Sequence, residues 1–456
     1  MRADLALAWL LTRGSDRREW WRVGLTAAGA ALATGLGTVV AVLVPMDGHH
    51  HIGVGGGLLD DEGTRGGVVV ALTMLLLPVY GFLGQSARIG AVHRDRRLAA
   101  LRLAGAGAAQ VRRIAGLESG LACLAGSAAA TAVSVPVLLR LWSHPVPLAW
   151  AGLAAMVLLV PAAGAAVGVL SLRRVVASPL GVVRRVRPTG PGRQFLVATV
   201  LLGVSALFVV VAVFVHDPFS LPLFGLAVGP LVVFALCLLV GAVAVWLAGW
   251  SSRWLGSALA ARTGSPAVLI AAERLRDDPW AAARTHAAVL LVTVVGTAFV
   301  GVRQVLLADL RAAEREGHLG MGLAYYTGGL DLTAAAILLA LAIVLSALAV
   351  GTAESLATRR RGLAVQNAAG VPRGVLARAL LLETALPLLP AVAVAGAGGM
   401  GIGARYAALV TEHAAAGAPY AALLVPVGVY ACCLLAAATS LPLLRRSVRP
   451  AELRYA

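Results

Sequence analysis

The sequence predicts an all-α integral membrane protein with ten transmembrane helices, arranged as two homologous four-helix halves joined by a helix pair. Three observations predict it. Composition comes first: 59% of the 456 residues are hydrophobic, 13% are charged and the mean hydropathy is +0.87. That leaves too little polar surface to coat a water-soluble globule. The second is a series of apolar runs of about 20 residues, the length that crosses a bilayer as a helix. The third is an internal repeat: HRDRRLAALRLAGAGAAQVRRIAGLESGL at 93–121 aligns without a gap on TRRRGLAVQNAAGVPRGVLARALLLETAL at 358–386, with an offset of 265 and ten identities.

Taken in order, residues 1–21 form an amphipathic cytoplasmic segment, with Trp20 and Trp21 as interfacial anchors. Its SDRREWW stretch faintly resembles a twin-arginine export signal, but no small-x-small cleavage site follows the apolar run from Val23 to Val44, so a retained anchor is expected. The apolar runs lie near 22–45, 67–87, 114–139, 148–172, 194–215, 222–249, 286–308, 331–353, 379–404 and 419–443. The repeat offset maps the first four onto the last four, which gives a first domain over 22–172 and a second over 286–443. Residues 173–285 are then a linker with two membrane helices, entered through RRVRPTGPGR at 184–193. Its last part, 250–285, has tryptophans, arginines and apolar residues at helical spacing and is expected along the inner membrane surface. Residues 444–456 are a cytoplasmic tail. The external loops, 46–66 and 311–331, are expected to have about 20 residues each, from the spacing of membrane-length runs.

The net charge is +17, and all 38 basic residues are arginine. Of these, 32 fall in the N-terminus, 88–113, 173–193, 250–285, 354–378 and the C-terminus; only Arg65, Arg140, Arg303, Arg311, Arg315 and Arg405 fall on the opposite side. By the positive-inside rule the first group is cytoplasmic, including both termini. The basicity is therefore topological, and nucleic acid is excluded as a partner. Without lysine there is no Walker A or Schiff-base lysine, and no G-x-S-x-G, H-E-x-x-H or phosphate loop appears. The chain is not expected to be an enzyme or to bind a cofactor or metal. Cys123, Cys237, Cys432 and Cys433 lie within apolar runs, without CxxC spacing, and read as packing residues. His49, His50 and His51, with Asp47, Asp60, Asp61 and Glu62 nearby, sit on a Gly-rich loop. Adjacent histidines there have no fixed ligand geometry, so the loop reads as solvated and flexible.

Each copy of the repeat has the same plan: arginines, a short helical run, a glycine, a second helix start, then a glutamate and an apolar span. Gly105 and Gly370 can take positive φ and stop a helix, and Pro372 fits the first turn of the next one. The copies are expected to be folded cytoplasmic elbows. Glu118 and Glu383 enter helices three and nine, where a carboxylate is costly unless paired, and Arg113 and Arg378 are the neighbouring candidates. Being present in both copies, they suggest a structural or coupling role rather than proton relay. Asp331, Arg303 and Arg405 read as interfacial. Gly399 with Gly403, and Gly116 with Gly120, have the i,i+4 spacing of a tight helix-packing face.

The elbow RDRRLAALRLAGAGAAQVRRIAGLES, preceded by a membrane helix with its external loop and followed by two helices, resembles the FtsX-like permease family of ABC transporters, and TRRRGLAVQNAAGVPRGVLARALLLET resembles it again. The ten-helix layout with an intervening helix pair is similar to the BceB-type arrangement. The resemblance implies a MacB-like mechanotransmission subunit in a bacterial cytoplasmic membrane. Its elbows would dock two copies of a separate ATPase, which holds the ATP and Mg²⁺. Carried over, the coupling residues are Arg94, Arg96, Arg97, Leu98, Leu101 and Gly105, then Arg359, Arg361, Leu363, Val365 and Gly370. Relatives of this class usually carry a large extracellular domain that is missing here. That shifts the expectation from periplasm-spanning export toward efflux or extraction of a lipid, hydrophobic drug or peptide within the membrane. A signalling scaffold that controls a cell-wall hydrolase and an ATP-independent secondary transporter stay open beside it.

Overall fold

A computed structural model describes residues 17–46, 48–49, 52, 59–60, 62–86, 98, 100–141, 147–171, 228–318, 322–410 and 419–447. Among these the regular structure is helical throughout, with no strand. Eight of the helices are long and apolar enough to cross a membrane, counted over the described residues. The chain divides into two compact units, Met1–Val186 and Arg187–Ala456.

The first unit contains α1 (Arg17–Leu43), α2 (Glu62–Ser86), α3 (Ala108–Leu141) and α4 (Pro147–Ser171), where the first four runs are predicted. Helix α1 packs against the other three, and α3 packs along α4. Lipid tails are as apolar as leucine, so burial of apolar area does not sort such helices; close backbone approach and interhelical hydrogen bonds do. Both are present. A Cβ at Gly126 of α3 would run into the backbone of Ala27 on α1. The hydroxyls of Thr34 and Ser127 lie 2.7 Å apart between the same helices, and Thr26 reaches Ser86 of α2 at 3.2 Å. Gly116 and Gly120 face Val169 and Ala165 of α4, as their spacing suggests. Large apolar side chains such as Val133, Val137, Leu158 and Leu159 point outward.

The loop between α1 and α2 differs from expectation where it is described. Ile52, Asp60 and Arg65 are buried. The Ile52 N–H donates to Asp60 Oδ1 at 2.9 Å, and the Arg65 guanidinium donates to the carbonyls of Gly48 and Leu59. Leu43, Met46, Ile52 and Val69 form a small core beneath them. An arginine that satisfies loop carbonyls turns this stretch into a packed cap, because buried backbone acceptors need partners. Among the described residues no group of three His, Cys, Asp or Glu could hold a metal; Asp47, His50, His51 and Asp61 lie outside them.

The second unit contains α5 (Val228–Arg262), α6 (Pro266–Asp277), α7 (Trp280–Glu316), α8 (Leu323–Thr358), α9 (Arg360–Ala368) and α10 (Arg373–Val410), then a 3₁₀ turn (Tyr420–Leu423), α11 (Leu424–Ala438) and α12 (Leu441–Ser447). Helices α7 and α10 are the central pair, and α5 packs on both. A Cβ at Gly399 would stand 2.5 Å from the Val294 carbonyl oxygen, and one at Gly403 would stand 2.6 Å from that of Ala298. The glycine pair on α10 is thus the seam against α7.

Two boundaries depart from the sequence reading. The run predicted to end at 249 continues to Arg262, because Ser251 and Ser252 return their hydroxyls to the Ala248 carbonyl and need no partner outside the helix. Only α6 forms a separate amphipathic helix: it starts at Pro266 and buries Ala267, Ala271, Ala272 and Leu275 on one face. The loop expected over 311–331 is not 20 residues long. Helix α7 runs on through charged residues until Gly317, at φ +70°, and α8 begins at Leu323. The predicted span at 194–215 and the linker at 184–193 lie outside the described residues.

Candidate functional site: two helix stops and an ion cluster

The glycines of the repeat do the same thing twice. Gly105 has φ +98° and Gly370 has φ +93°. At the first, Ala104 N–H donates to Ala100, Gly105 to Arg102 and Ala106 to Leu101. At the second, Ala369 donates to Val365, Gly370 to Asn367 and Val371 to Gln366. Every donor and acceptor is displaced by 265 residues. The paired six-to-one and five-to-two bonds are a Schellman stop, which satisfies the last carbonyls of a helix and needs a positive φ at the glycine. The following helices, α3 and α10, start at equivalent residues, Ala108 and Arg373.

Beneath each stop lies a matching core. Leu98, Val111, Ile114 and Ala115 are buried together, with Leu101 and Ala106 against them. In the second copy Leu363 and Leu376 occupy the positions of Leu98 and Val111, joined by Leu356 and by Leu444 of α12. Leu98 and Leu363, 0% and 1% exposed, therefore pin the elbow and offer nothing to a docking partner. The apolar residues that do face outward are Leu103, which the sequence reading did not single out, and Val365, which it did. Arg361, Gly105 and Gly370 are exposed too, while Arg94, Arg96 and Arg97 lie outside the described residues.

Glu383 has partners other than the one expected. Arg359 donates to both its carboxylate oxygens, at 2.7 and 3.0 Å, and Arg274 of α6 reaches it at 3.3 Å. Arg378, the sequence neighbour, is exposed on another face of α10. Arg274 also approaches Gln366 of α9 at 3.5 Å. A half-buried carboxylate between two guanidinium groups is strongly held, because charge-assisted bonds are roughly twice as strong as neutral ones. The cluster joins α6, the end of α8, the elbow helix α9 and α10. Arg274 was missed because nothing short-range marks it; the contact spans 109 residues. Arg359, expected at the docking surface, also belongs to this cluster, with its side chain 40% exposed.

Glu118, the equivalent of Glu383, is 2% exposed. It borders a cavity of about 100 Å³ with Thr26, Tyr80, Ser119 and Cys123. Of the expected interfacial charges, Arg303 and Asp331 pair at 2.6 Å between α7 and α8. The four cysteines are free thiols, three of them buried, as packing residues should be.

Comparison with known proteins adds one family. None of the curated proteins matches the chain. The FtsX-like permease C-terminal family matches residues 68–180, about a quarter of the chain, in a stretch that takes in most of α2, the first elbow, α3 and α4. The first unit, with its glycine-stopped elbow between α2 and α3, is thus similar over residues 68–180 to the FtsX-like permease C-terminal family.

Proposed function

We propose that this chain is the membrane-spanning permease subunit of an ABC transporter, built as two homologous four-helix halves with ten membrane helices in a MacB- and BceB-like arrangement. The observation that carries this reading is the pair of glycine stops, whose hydrogen bonds recur at an offset of 265. One of them lies within the FtsX-like match. A helix stop that presents a short, rigidly cored, arginine-flanked turn suits a cytoplasmic docking knob, and two of them suit two ATPase subunits. ATP and Mg²⁺ belong to those partners; this chain supplies no catalytic group. The distribution of its arginines supports both termini and both elbows in the cytoplasm, and the likeness to FtsX-like permeases supports a bacterial plasma membrane.

ATP-driven closure of the partner subunits would push on the elbows, and the buried leucines would transmit that push to α3 and α10. The substrate would be a lipid, hydrophobic drug or peptide exported or extracted from the membrane, since the outer loops are too short to form a periplasmic conduit.

The test is reconstitution with a separate cytoplasmic ABC ATPase subunit, sought first among the neighbouring reading frames. The permease should bind and stimulate that ATPase, and Arg360→Glu with Arg361→Glu should lower binding while membrane insertion persists. Failure of the wild-type chain to bind any such ATPase, with hydrolysis independent of the permease, would overturn this reading.

A further inference from the structure

The ion cluster of the second unit borders a cavity of about 140 Å³, well above the roughly 15 Å³ that admits one water. Its polar walls include Arg274, Arg359, Glu383, Asp278 and His286. Two of their atoms have no hydrogen-bond partner although they are buried: Nδ1 of His286, a residue only 3% exposed, and Oδ1 of Asp278. The other Asp278 oxygen is taken by Arg284. Buried polar atoms are rarely left unpaired, so these two point to something that fills the space. Thr352 and Ser440, also on the wall, donate their hydroxyl hydrogens to the carbonyls of Ala349 and Ala437. Their lone pairs remain as acceptors.

The wall thus combines a guanidinium pair with a surplus of acceptors, and Leu275, Leu356 and Leu380 add an apolar part. A phosphate suits the first, a hydrogen-bonding ammonium the second and acyl chain the third. The cavity also lies where α8 ends, just beyond the candidate span Tyr325–Leu356 and beside the arginine-flanked elbow, where a bilayer centred on that span would place its headgroups. We propose that it holds the headgroup of a phospholipid bearing both phosphate and a primary ammonium. Arg274 and Arg359 bind the phosphate, with Glu383 as their common anchor, and the ammonium donates to Asp278 Oδ1 and the hydroxyls. A choline headgroup lacks the N–H donors, and a glycerol headgroup lacks the positive charge. The inference requires the membrane placement of the helices but not their coupling to an ATPase, so it survives loss of the transporter reading.

Gly351 lines this cavity, and a Cβ there meets no heavy atom within 4 Å. Gly351→Leu therefore fills the space while keeping every charge. The purified full chain is delipidated, then equilibrated with micelles containing equal amounts of phosphatidylethanolamine, phosphatidylcholine and phosphatidylglycerol, and bound lipid is counted by native mass spectrometry. The wild type should retain phosphatidylethanolamine about tenfold over each of the others, the ratio that one decade in Kd gives. Gly351→Leu should abolish the preference; Gly401→Leu, at another open glycine, should keep it. Should Gly351→Leu not fold, Thr352→Val, which removes one acceptor at constant volume, should reduce the preference. Equal retention of the three lipids by the wild type would overturn the proposal. So would an undiminished preference in the folded Gly351→Leu chain or, in its place, in Thr352→Val.

Discussion

Arg359 grips Glu383 through both carboxylate oxygens, at 2.7 and 3.0 Å, and so fastens the end of α8 to α10. Loss of the carboxylate leaves two guanidinium groups beside each other. Glu383→Gln is expected to destabilise the fold by about 1.5–3 kcal/mol, the range for hydrogen bonds to charged groups. A fully buried pair would cost more, but the side chains are 40% and 23% exposed. Combined with Arg359→Gln, the cost should fall short of the sum. Unfolding in detergent of both single variants and the double variant checks this, and strict additivity would mean that the two residues act independently.

At Gly105 and Gly370 a Cβ meets no heavy atom within 4 Å, so any penalty on substitution comes from the backbone and not from crowding. Valine at either position should cost about 1–3 kcal/mol through its forced positive φ. Asparagine, which visits left-handed conformations more readily, should cost less. Thermal unfolding separates the two, and valine as benign as asparagine would contradict a conformational requirement. On the proposed transporter reading the valine variants should also uncouple ATP hydrolysis in the reconstituted complex, more severely at one elbow than at the other, because Gln366 and Asn367 stand where the first copy has Leu101 and Arg102.

The α7–α10 seam gives a contrast within one stretch of chain. Gly399→Leu and Gly403→Leu place carbon where carbonyl oxygens already stand, whereas Gly401 faces open space. The first two should lose about 1–3 kcal/mol through overpacking, and Gly401→Leu should stay near wild type. Comparable unfolding temperatures for all three would disprove the close approach.

Topology and stoichiometry are tested on whole cells and complexes. In a background without the four native cysteines, Leu103→Cys and Ala368→Cys should resist an impermeant maleimide applied outside, and His318→Cys, on the exposed turn between α7 and α8, should react. External labelling at position 103 or 368 would reverse the arginine argument. One permease chain should bind two ATPase subunits, read from the mass of the solubilised complex.

The elbows were legible in the sequence because their information is local: a glycine, its flanking arginines and the apolar spacing around it all fall within 29 consecutive positions. The glycine seam was legible for the same reason. Helix length was not. Hydropathy registers only the membrane-thick part of α7, while the charged stretch DLRAAERE has good helix formers and no breaker, so the helix runs to Gly317. The partners of Glu383 were hidden because Arg274 lies 109 residues away on a helix whose docking onto α10 leaves no mark in its own sequence. The loop cap around Arg65 escaped notice because arginine there reads as surface charge until the carbonyls it satisfies are seen.

The uninterrupted length of α7 has a mechanical consequence. Its 37 residues extend about 55 Å at 1.5 Å per residue, against a hydrocarbon thickness of about 30 Å. A rod that long works as a lever: a tilt of about 10° pivoting at the Trp280 end sweeps the Gly317 turn through about 10 Å. Displacements of an ångström or two beside the elbow, too small to open a path by themselves, would thus arrive at the opposite membrane face as movements the size of a lipid headgroup.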